Sequence, residues 1–220
     1  MDHETAQLHL QTSKLMGVDF LPVGQRTSIT ETTNQHSSLE QLKLEHDASC
    51  PHCTNATGHT QTVFGTGNPN ASLMFIGEAP GAEEDLQGIP FVGAAGQKLT
   101  QIIEAIGMTR EDVYIANILK SRPHENRTPL PNEVADCGPF VKKQIDIIKP
   151  DVIVTLGTPA TKYILATDQG ITRLRGTWGT YENIPVLPTY HPAYLLRNYT
   201  TEIRGQVWND MQLVRAQLNQ

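Results

Sequence analysis

Cysteine is scarce in this sequence, with three residues in a chain of 220. A small, odd number of cysteines is not the pattern of a disulfide framework, which small secreted domains use for stability. The N-terminal segment MDHETAQLHL also lacks the basic and apolar regions of a secretory signal. These absences predict a protein of the reducing cytoplasm.

Long apolar runs are missing as well. No stretch of about 18 apolar residues occurs, so the sequence predicts no membrane span. The Gly-Lys-Ser/Thr signature of a phosphate loop is also absent, and acidic residues follow the glycine-rich turn at residues 77–81. Because carboxylates repel phosphate, a nucleotide-binding protein built on this turn is disfavoured.

An excess of positive charge is lacking over the whole chain, whose formal net charge is −6. The charge is uneven, however. Residues 1–50 have seven acids and three bases, residues 51–119 have seven acids and two bases, and residues 120–220 have nine acids and twelve bases. The C-terminal part therefore has a net charge of +3 and could bind a polyanion, so the net charge does not exclude a nucleic-acid partner.

Composition divides the chain near residue 39. Residues 25–38 are rich in Thr, Ser and Gln and nearly free of apolar side chains. Such a segment buries too little surface to offset its ordering entropy, which predicts a flexible linker. We expect residues 1–38 to be a partly flexible N-terminal extension and residues 39–220 to be the globular domain.

Four short apolar runs alternate with helical patterns: 73–76, 113–119, 151–156 and 184–188. Strands that alternate with helices build a parallel sheet covered on both faces. The sequence therefore predicts an α/β fold, with three layers α/β/α around a short central four-stranded parallel sheet. Residues 171–182 alternate in polarity and predict a hairpin.

Chemically useful side chains follow the ends of these strands. They are an aromatic ring, an amide, an imidazole and three carboxylates: Phe91, Asn117, His191, Glu78, Glu84 and Asp85. Each of them alone is also compatible with a structural role. Because the carboxyl ends of parallel strands meet at one edge, we expect the set to converge on a pocket. A stacking ring, a donor–acceptor amide and a donor to a developing negative charge suit a planar heterocycle.

Five segments carry a resemblance to a known family: GEAPGAEED, GIPFVGAAG, VYIANILKSRPHENRTP, the Glu133–Cys137 spacing and HPAYLLR. Together, over residues 46–220, they resemble the uracil-DNA glycosylase superfamily, and within it family 4, the iron–sulfur type of bacteria and archaea. The resemblance implies an enzyme that takes uracil out of DNA and hydrolyses its N-glycosidic bond, which starts base excision repair.

The resemblance implies a role for each pocket residue. Phe91 would stack on the extruded base, Asn117 would read its Watson–Crick edge, and His191 would hydrogen-bond the charge that develops on O2. Gly77 and Ala79 would belong to the loop that binds the substrate.

The residue that activates water is not assigned by the motif. The best-known branch of the superfamily has an Asp where this chain has Ala79. Glu78, Glu84 and Asp85 are therefore candidates for holding the water or stabilising the sugar cation. One or more of them could instead accept hydrogen bonds from backbone amides of the loop.

The segment HPAYLLR would enter the minor groove. Leu195 or Leu196 would fill the gap left by the base, and Arg197 would lie near phosphates. The basic residues expected to line the DNA path are Lys120, Arg122 and Arg127. The partner implied is uracil-containing DNA, and we expect a monomer without an obligate protein partner.

Family 4 holds a [4Fe-4S] cluster on four cysteines. The matching positions are Cys50, Cys53 and Cys137, with Ser121 at the fourth. Iron–sulfur clusters prefer thiolates, so this departure leaves three outcomes open. They are a cluster whose fourth ligand is Ser121, His52 or His124, a cluster with an open iron, or no cluster.

Two other functions remain as alternatives. A branch that becomes covalently trapped on uracil-DNA has an inserted basic loop with an Arg-Ile-His segment, whereas KSRPHENRTP has His124 but no insertion. A non-catalytic DNA-binding protein on the same scaffold is the other alternative, since a fold does not prove a function. The joint presence of Phe91, Asn117 and His191 argues against it.

Overall fold

The computed structural model describes residues 28–219. Most of the predicted extension, residues 1–27, lies outside the described residues. A compact unit begins at Asn34 and runs to the C-terminus. Within the described part of the chain, no helix is long and apolar enough to cross a membrane.

A mixed six-stranded sheet forms the centre of the fold. Its strands are β1 (Thr66–Gly67), β2 (Leu73–Gly77), β3 (Tyr114–Asn117), β4 (Val152–Leu156), β5 (Gly179–Tyr181) and β6 (Ile184–Thr189). They lie in the order β1-β3-β2-β4-β6-β5, and the inner four pair in parallel. The predicted four-stranded parallel sheet is confirmed as this inner part.

Of the two edge strands, β1 was not predicted, and β5 lies within the residues of the predicted hairpin but has a different partner. β1 and β5 have two and three residues and pair antiparallel with β3 and β6. Strands this short show no alternation that a sequence pattern can reveal. The hairpin predicted over residues 171–182 is wrong, because Ile171–Leu174 is helical and β5 pairs instead with β6.

Helices cover both faces of the sheet. They are α1 (Ser28–Ser49), α2 (Pro51–Asn55), α3 (Ala82–Gln87), α4 (Ala94–Ala105), α5 (Pro131–Ile148), α6 (Thr158–Leu165), α7 (Ile171–Leu174), α8 (Pro192–Arg197) and α9 (Thr201–Leu218). On one face, Leu99 of α4 and Met211 of α9 pack with Phe75. On the other face, Ile145 of α5 and Ile164 of α6 pack in one core cluster with strand residues such as Met74 and Ile153. The three-layer prediction is confirmed.

The polar linker predicted over residues 25–38 is helical from residue 28, as part of α1. Two leucines one turn apart, Leu39 and Leu42, are buried and hold this helix against the domain. The Gln35 side chain also donates a hydrogen bond to the Ile147 carbonyl at 3.1 Å. A few well-placed contacts thus stabilise a helix whose composition is that of a linker, and the division at residue 39 stays a prediction.

Candidate active site

A cavity of about 640 Å³ opens at the carboxyl edge of the parallel strands. Glu78 follows β2, Asn117 ends β3, and His191 follows β6. All three line the cavity together with Phe91. The convergence expected from strand order is therefore present in the structure.

Asn117 is the most buried polar group of the cavity, with 1% of its surface exposed. Its Oδ1 atom has no hydrogen-bond partner within residues 28–219. A buried, unpaired amide oxygen costs about 1–3 kcal/mol unless a ligand satisfies it. The Asn117 side chain is therefore prepared to accept a hydrogen bond from a bound molecule.

Gly77 lets the ring and the amide approach each other. A Cβ at this position would lie 2.3 Å from Asn117 Oδ1 and 2.5 Å from Phe91 Cζ. Both distances are far inside van der Waals contact. Any side chain here would therefore push apart the two groups that the cavity brings together.

Phe91 adopts a backbone conformation unusual for a residue with a side chain, with φ of 55°. The Arg110 guanidinium donates to the carbonyls of Phe91 and Pro90 at 3.0 and 2.8 Å. Gly96 allows the close backbone approach, since a Cβ there would lie 1.9 Å from the Phe91 carbonyl. Arg110 is thus a positioning residue that the sequence analysis missed, because nothing in its own segment marks it.

His191 caps the N-terminus of α8 and faces the Phe91 ring, with a centroid separation of 5.6 Å. Its Nδ1 accepts a hydrogen bond from the Ala193 amide at 3.1 Å. Nδ1 is therefore the unprotonated nitrogen, and Nε2 carries the proton. Desolvation, and then the charge of Arg197, lower the pKa of His191 to about 4. The imidazole is neutral at pH 7 and is a donor through Nε2.

The three candidate carboxylates occupy different environments. Glu84 accepts hydrogen bonds from the amides of Gly81, Val92 and Gly93 at 2.9–3.1 Å, and so braces the loop. Asp85 is buried outside the cavity lining and accepts from the Thr60 and Gln61 amides. Their hydrogen-bonding capacity is largely spent on backbone amides.

Glu78 differs from the other two carboxylates. It lines the cavity, and its carboxylate has no hydrogen-bond partner in the described part of the chain. Burial raises the pKa of this carboxyl above its usual value. Among the three candidates, Glu78 is the group whose carboxylate is free to act on a bound molecule.

Two of the residues predicted to contact DNA are buried, which corrects those predictions. The Lys120 side chain is fully enclosed and donates to the Asn117 carbonyl and to Gln144 Oε1, at 2.8 and 2.6 Å. Burial lowers the pKa of Lys120 to about 8. Leu195 packs in the core with 3% exposure, whereas Leu196 is 43% exposed. Of the two leucines, only Leu196 is placed to enter a groove.

Two of the three arginines predicted to contact DNA line the cavity. Arg197 and Arg127 are exposed there, whereas Arg122 is half-buried outside the lining and donates to Asn126 Oδ1 at 2.8 Å. Arg127 forms a bidentate ion pair with Glu133 at 2.6 and 2.8 Å, which lowers the pKa of Glu133 to about 2. Arg197 is therefore the freer cation of the two.

The three cysteines meet in a second site, which also contains a histidine. His46, Cys50, Cys53 and Cys137, here termed the Cys3His group, have their ligand atoms within 4.8 Å of one another. Hydrogen bonding from the Cys137 thiol lowers the pKa of Cys53, and the pKa of Cys137 is raised by its hydrogen bonds to Cys50 and Cys53. These four residues can hold a metal. His46 was missed because its spacing to the C-x-x-C pair matches no motif weighed from the sequence.

The other proposed ligands lie around this group. Ser121 Oγ is 3.3 Å from Cys53 Sγ and 3.1 Å from His52 Nε2. His52 Nδ1 lies 3.8 Å from Glu133, the partner of Arg127. A line of four polar side chains thus connects the Cys3His group to the cavity mouth. His124, in contrast, is exposed in a 3₁₀ turn and is not part of the group.

Comparison with known proteins gives consistent matches. A family model described as the uracil DNA glycosylase superfamily matches residues 64–212. A type-4 uracil-DNA glycosylase of Thermotoga maritima is 43% identical over 182 residues, which cover 81% of this chain and 94% of the relative. A type-4 uracil-DNA glycosylase of Sulfurisphaera tokodaii is 45% identical over 187 residues, which cover 81% and 84%. A type-5 uracil-DNA glycosylase of Pyrobaculum aerophilum is 29% identical over 147 residues, which cover 59% and 64%.

Proposed function

The chain belongs to the uracil-DNA glycosylase superfamily, and on this premise we propose that it hydrolyses the N-glycosidic bond of deoxyuridine in DNA. The proposal depends above all on one observation, the unpaired amide oxygen of Asn117 beside Phe91 and His191. The names of the type-4 relatives support it. The activity would start base excision repair.

Base recognition would require the nucleotide to leave the stack, at a cost of a few kcal/mol. Asn117 Oδ1 would accept from the uracil N3–H, and its Nδ2 would donate to O4. Cytosine presents an acceptor at N3 and a donor at position 4, so both hydrogen bonds would be lost with it. The Phe91 ring would stack on the base.

Bond cleavage would leave a uracil anion that carries part of its charge on O2. The neutral His191 would donate its Nε2 proton to this oxygen in a hydrogen bond that strengthens as the charge develops. A donor held in place in this way contributes about 10²–10³ in rate. The Ala193 amide supports this role because it keeps the proton on Nε2.

Water would be held by Glu78. This carboxylate lines the cavity, while Glu84 and Asp85 are committed to backbone amides. When ionised, it would orient the water toward C1′ and stabilise the positive charge on the sugar. A positioned carboxylate base contributes about 10²–10⁴ in rate.

The DNA would lie across the cavity mouth. Arg197 and Arg122 would contact phosphates, and Leu196 would fill the space left by the base. Arg127 would contribute less, because its charge is already neutralised by Glu133. We further infer a monomer of the reducing cytoplasm, in keeping with three free cysteines.

The metal centre fits the family's [4Fe-4S] cluster only in part. The usual ligand set of such a cluster is four cysteine thiolates, and this chain provides three and has serine at position 121. The proposed reaction uses the side chains of the cavity alone. Whatever it binds, the Cys3His group would brace the segments that carry Ser121 and Glu133 near the cavity.

A gel assay on a uracil-containing oligonucleotide tests the proposal. After treatment with alkali, which cleaves abasic sites, we expect strand scission at uracil and none at cytosine. Binding without scission would instead show a non-catalytic DNA-binding protein. A species of lower mobility that survives denaturation would show the covalently trapped alternative.

A matched variant ties the activity to this cavity. His191→Ala should lower the single-turnover rate by about 10²-fold or more, while DNA affinity stays within a few-fold. Trace activity from the expression host would not respond to this substitution. An unchanged rate would therefore contradict the proposed site.

A further inference from the structure

The ligand atoms of the Cys3His group all lie within 4.8 Å of one another, and two of their separations are those of ligands that share one metal ion. Cys53 Sγ lies 3.6 Å from Cys137 Sγ, and Cys137 Sγ lies 3.7 Å from His46 Nε2. A tetrahedral Zn²⁺ with sulfur at about 2.3 Å and nitrogen at about 2.0 Å has ligand separations of roughly 3.5–3.8 Å. In a [4Fe-4S] cluster each ligand binds a different iron, so the ligands must stand further apart.

We propose that the Cys3His group binds a single tetrahedral metal ion of the Zn²⁺ class in place of an iron–sulfur cluster. Three thiolates and one imidazole are one of the usual ligand sets of structural zinc. The inference does not depend on the proposed glycosylase activity, because it concerns the ion alone.

His46 is oriented as a metal ligand would be. It is fully buried, and its Nδ1 lies 2.8 Å from Asp47 Oδ1. Because a carboxylate only accepts, Nδ1 carries the proton and the lone pair is on Nε2, the atom that faces the thiols. Asp47 is in turn fixed by Thr62 and Lys43. A carboxylate–histidine pair of this kind commonly orients metal-binding imidazoles.

The residues near the group support the thiolates without completing a four-cysteine set. The Lys120 amide donates to Cys137 Sγ at 3.2 Å, and Ser121 is hydrogen-bonded to Cys53 Sγ. Zn²⁺ with three thiolates has a net charge of −1. The buried Lys120 ammonium can offset that charge, which gives this cation a role away from DNA.

Metal content of the full chain tests the proposal. The protein is expressed with both iron and zinc in the medium, purified anaerobically and analysed for metals and acid-labile sulfide. We expect about one zinc per chain, little iron or sulfide and no colour. Stoichiometric iron and sulfide would overturn the proposal, and so would a protein that binds no Zn²⁺ after incubation with it.

Variants test the assignment of His46. His46→Ala should weaken Zn²⁺ binding by at least about 10–100-fold in competition with a chelator, and His46→Cys should restore it. His124→Ala removes an exposed imidazole that is not in the group, and should leave the affinity unchanged. Equal affinity of wild type and His46→Ala would overturn the assignment, as would an equal loss in His124→Ala.

A variant with a fourth cysteine gives a further test. This test does not depend on whether His46→Ala folds. Ser121→Cys places a thiolate at the position where family 4 has its remaining cysteine. After anaerobic treatment with Fe²⁺, Fe³⁺ and sulfide, which supply the mixed-valence irons of the cluster, this variant should acquire the charge-transfer absorption of an iron–sulfur cluster. Wild type treated in the same way should not, and equal uptake by both proteins would contradict the proposal.

Discussion

The Asn117 side chain sets the hydrogen-bond pattern that a base must offer to the cavity. Its Oδ1 is unpaired, while the Lys120 ammonium beneath it donates to the Asn117 backbone carbonyl. The amide therefore presents one acceptor and one donor to a ligand. Substitution by a carboxylate keeps the shape and removes the donor.

We expect Asn117→Asp to lower the single-turnover rate on uracil by about 10–100-fold, the effect of losing one buried hydrogen bond to the base. Discrimination against cytosine should fall, since an acidic oxygen can accept from the cytosine amino group. Asn183→Asp, in the turn between β5 and β6, is the control and should leave both rates unchanged. Unaltered selection by Asn117→Asp would refute the role of this amide.

The pKa shifts of Glu78 and His191 predict how the rate of uracil release depends on pH. The pKa of Glu78 is raised by burial, so the carboxyl becomes protonated at a higher pH than an exposed one. The pKa of His191 is lowered to about 4, so this donor keeps its neutral form well below pH 7. If the water must be held by a carboxylate, the rate falls as pH drops through the raised pKa of Glu78.

Glu78→Gln should therefore abolish this acidic limb and lower the plateau rate by about 10²–10⁴. Glu83→Gln changes an exposed carboxylate on α3, close in sequence to Glu78, and should leave both the acidic limb and the plateau rate unchanged. Single-turnover rates measured across the acidic range separate the two variants. An acidic limb that persists in Glu78→Gln would assign it to another group.

At the scale of elements, α8 combines two tasks in six residues. Pro192 and His191 begin the helix, Leu195 is buried against the core, and Leu196 is turned to the exterior. Of these neighbouring leucines, Leu195 contributes to the core, and Leu196 is the one proposed to contact DNA. The sequence could not distinguish them, because the direction of a short helix relative to the core follows from tertiary packing.

Leu195→Ala should destabilise the fold by about 2–4 kcal/mol through the cavity it leaves. Leu196→Ala should change the unfolding free energy by less than about 0.5 kcal/mol. The Leu196→Ala substitution should slow uracil release from duplex DNA more than from single strands. Only in the duplex does the extruded base leave a gap between paired neighbours that a side chain must fill. Chemical denaturation and paired rate measurements check both, and the reverse pattern would place the wedge at Leu195.

Sequence patterns predicted some of the helices and strands and missed others. Buried strands such as Val152–Leu156 are continuous apolar runs, so the inner sheet and the edge that holds the cavity could be predicted. The edge strands and the helical start of α1 could not, because they depend on pairing and on two leucines. The roles of Arg110 and His46 were not predicted, for a similar reason. Each residue contacts residues distant in sequence, and neither lies in a local motif.

For the whole molecule, the charge distribution matters more than the net charge of −6. Arg197 is exposed at the cavity mouth, whereas Arg127 is paired and Lys120 is enclosed. Of the four basic residues predicted to contact DNA, Arg197 and Arg122 are then left for phosphates. We infer modest affinity for DNA and a shallow dependence on salt.

Arg197→Ala should reduce the slope of log affinity against log salt by about 0.7 on single-stranded DNA, the contribution of one phosphate contact. Arg215→Ala, an exposed site on α9, should leave the slope unchanged. Anisotropy titrations with an uncleavable analogue at several salt concentrations give both slopes. Identical slopes for Arg197→Ala and wild type would remove this arginine from the interface.

A line of four side chains connects the thiols of the Cys3His group to the outer loop. It runs from Ser121 through His52 and Glu133 to Arg127. Oxidation of those sulfurs would therefore loosen the loop. The cavity is built on separate strand ends and would keep its shape. We expect such oxidation to disturb the Arg127–Glu133 pair before it alters base selection by Asn117.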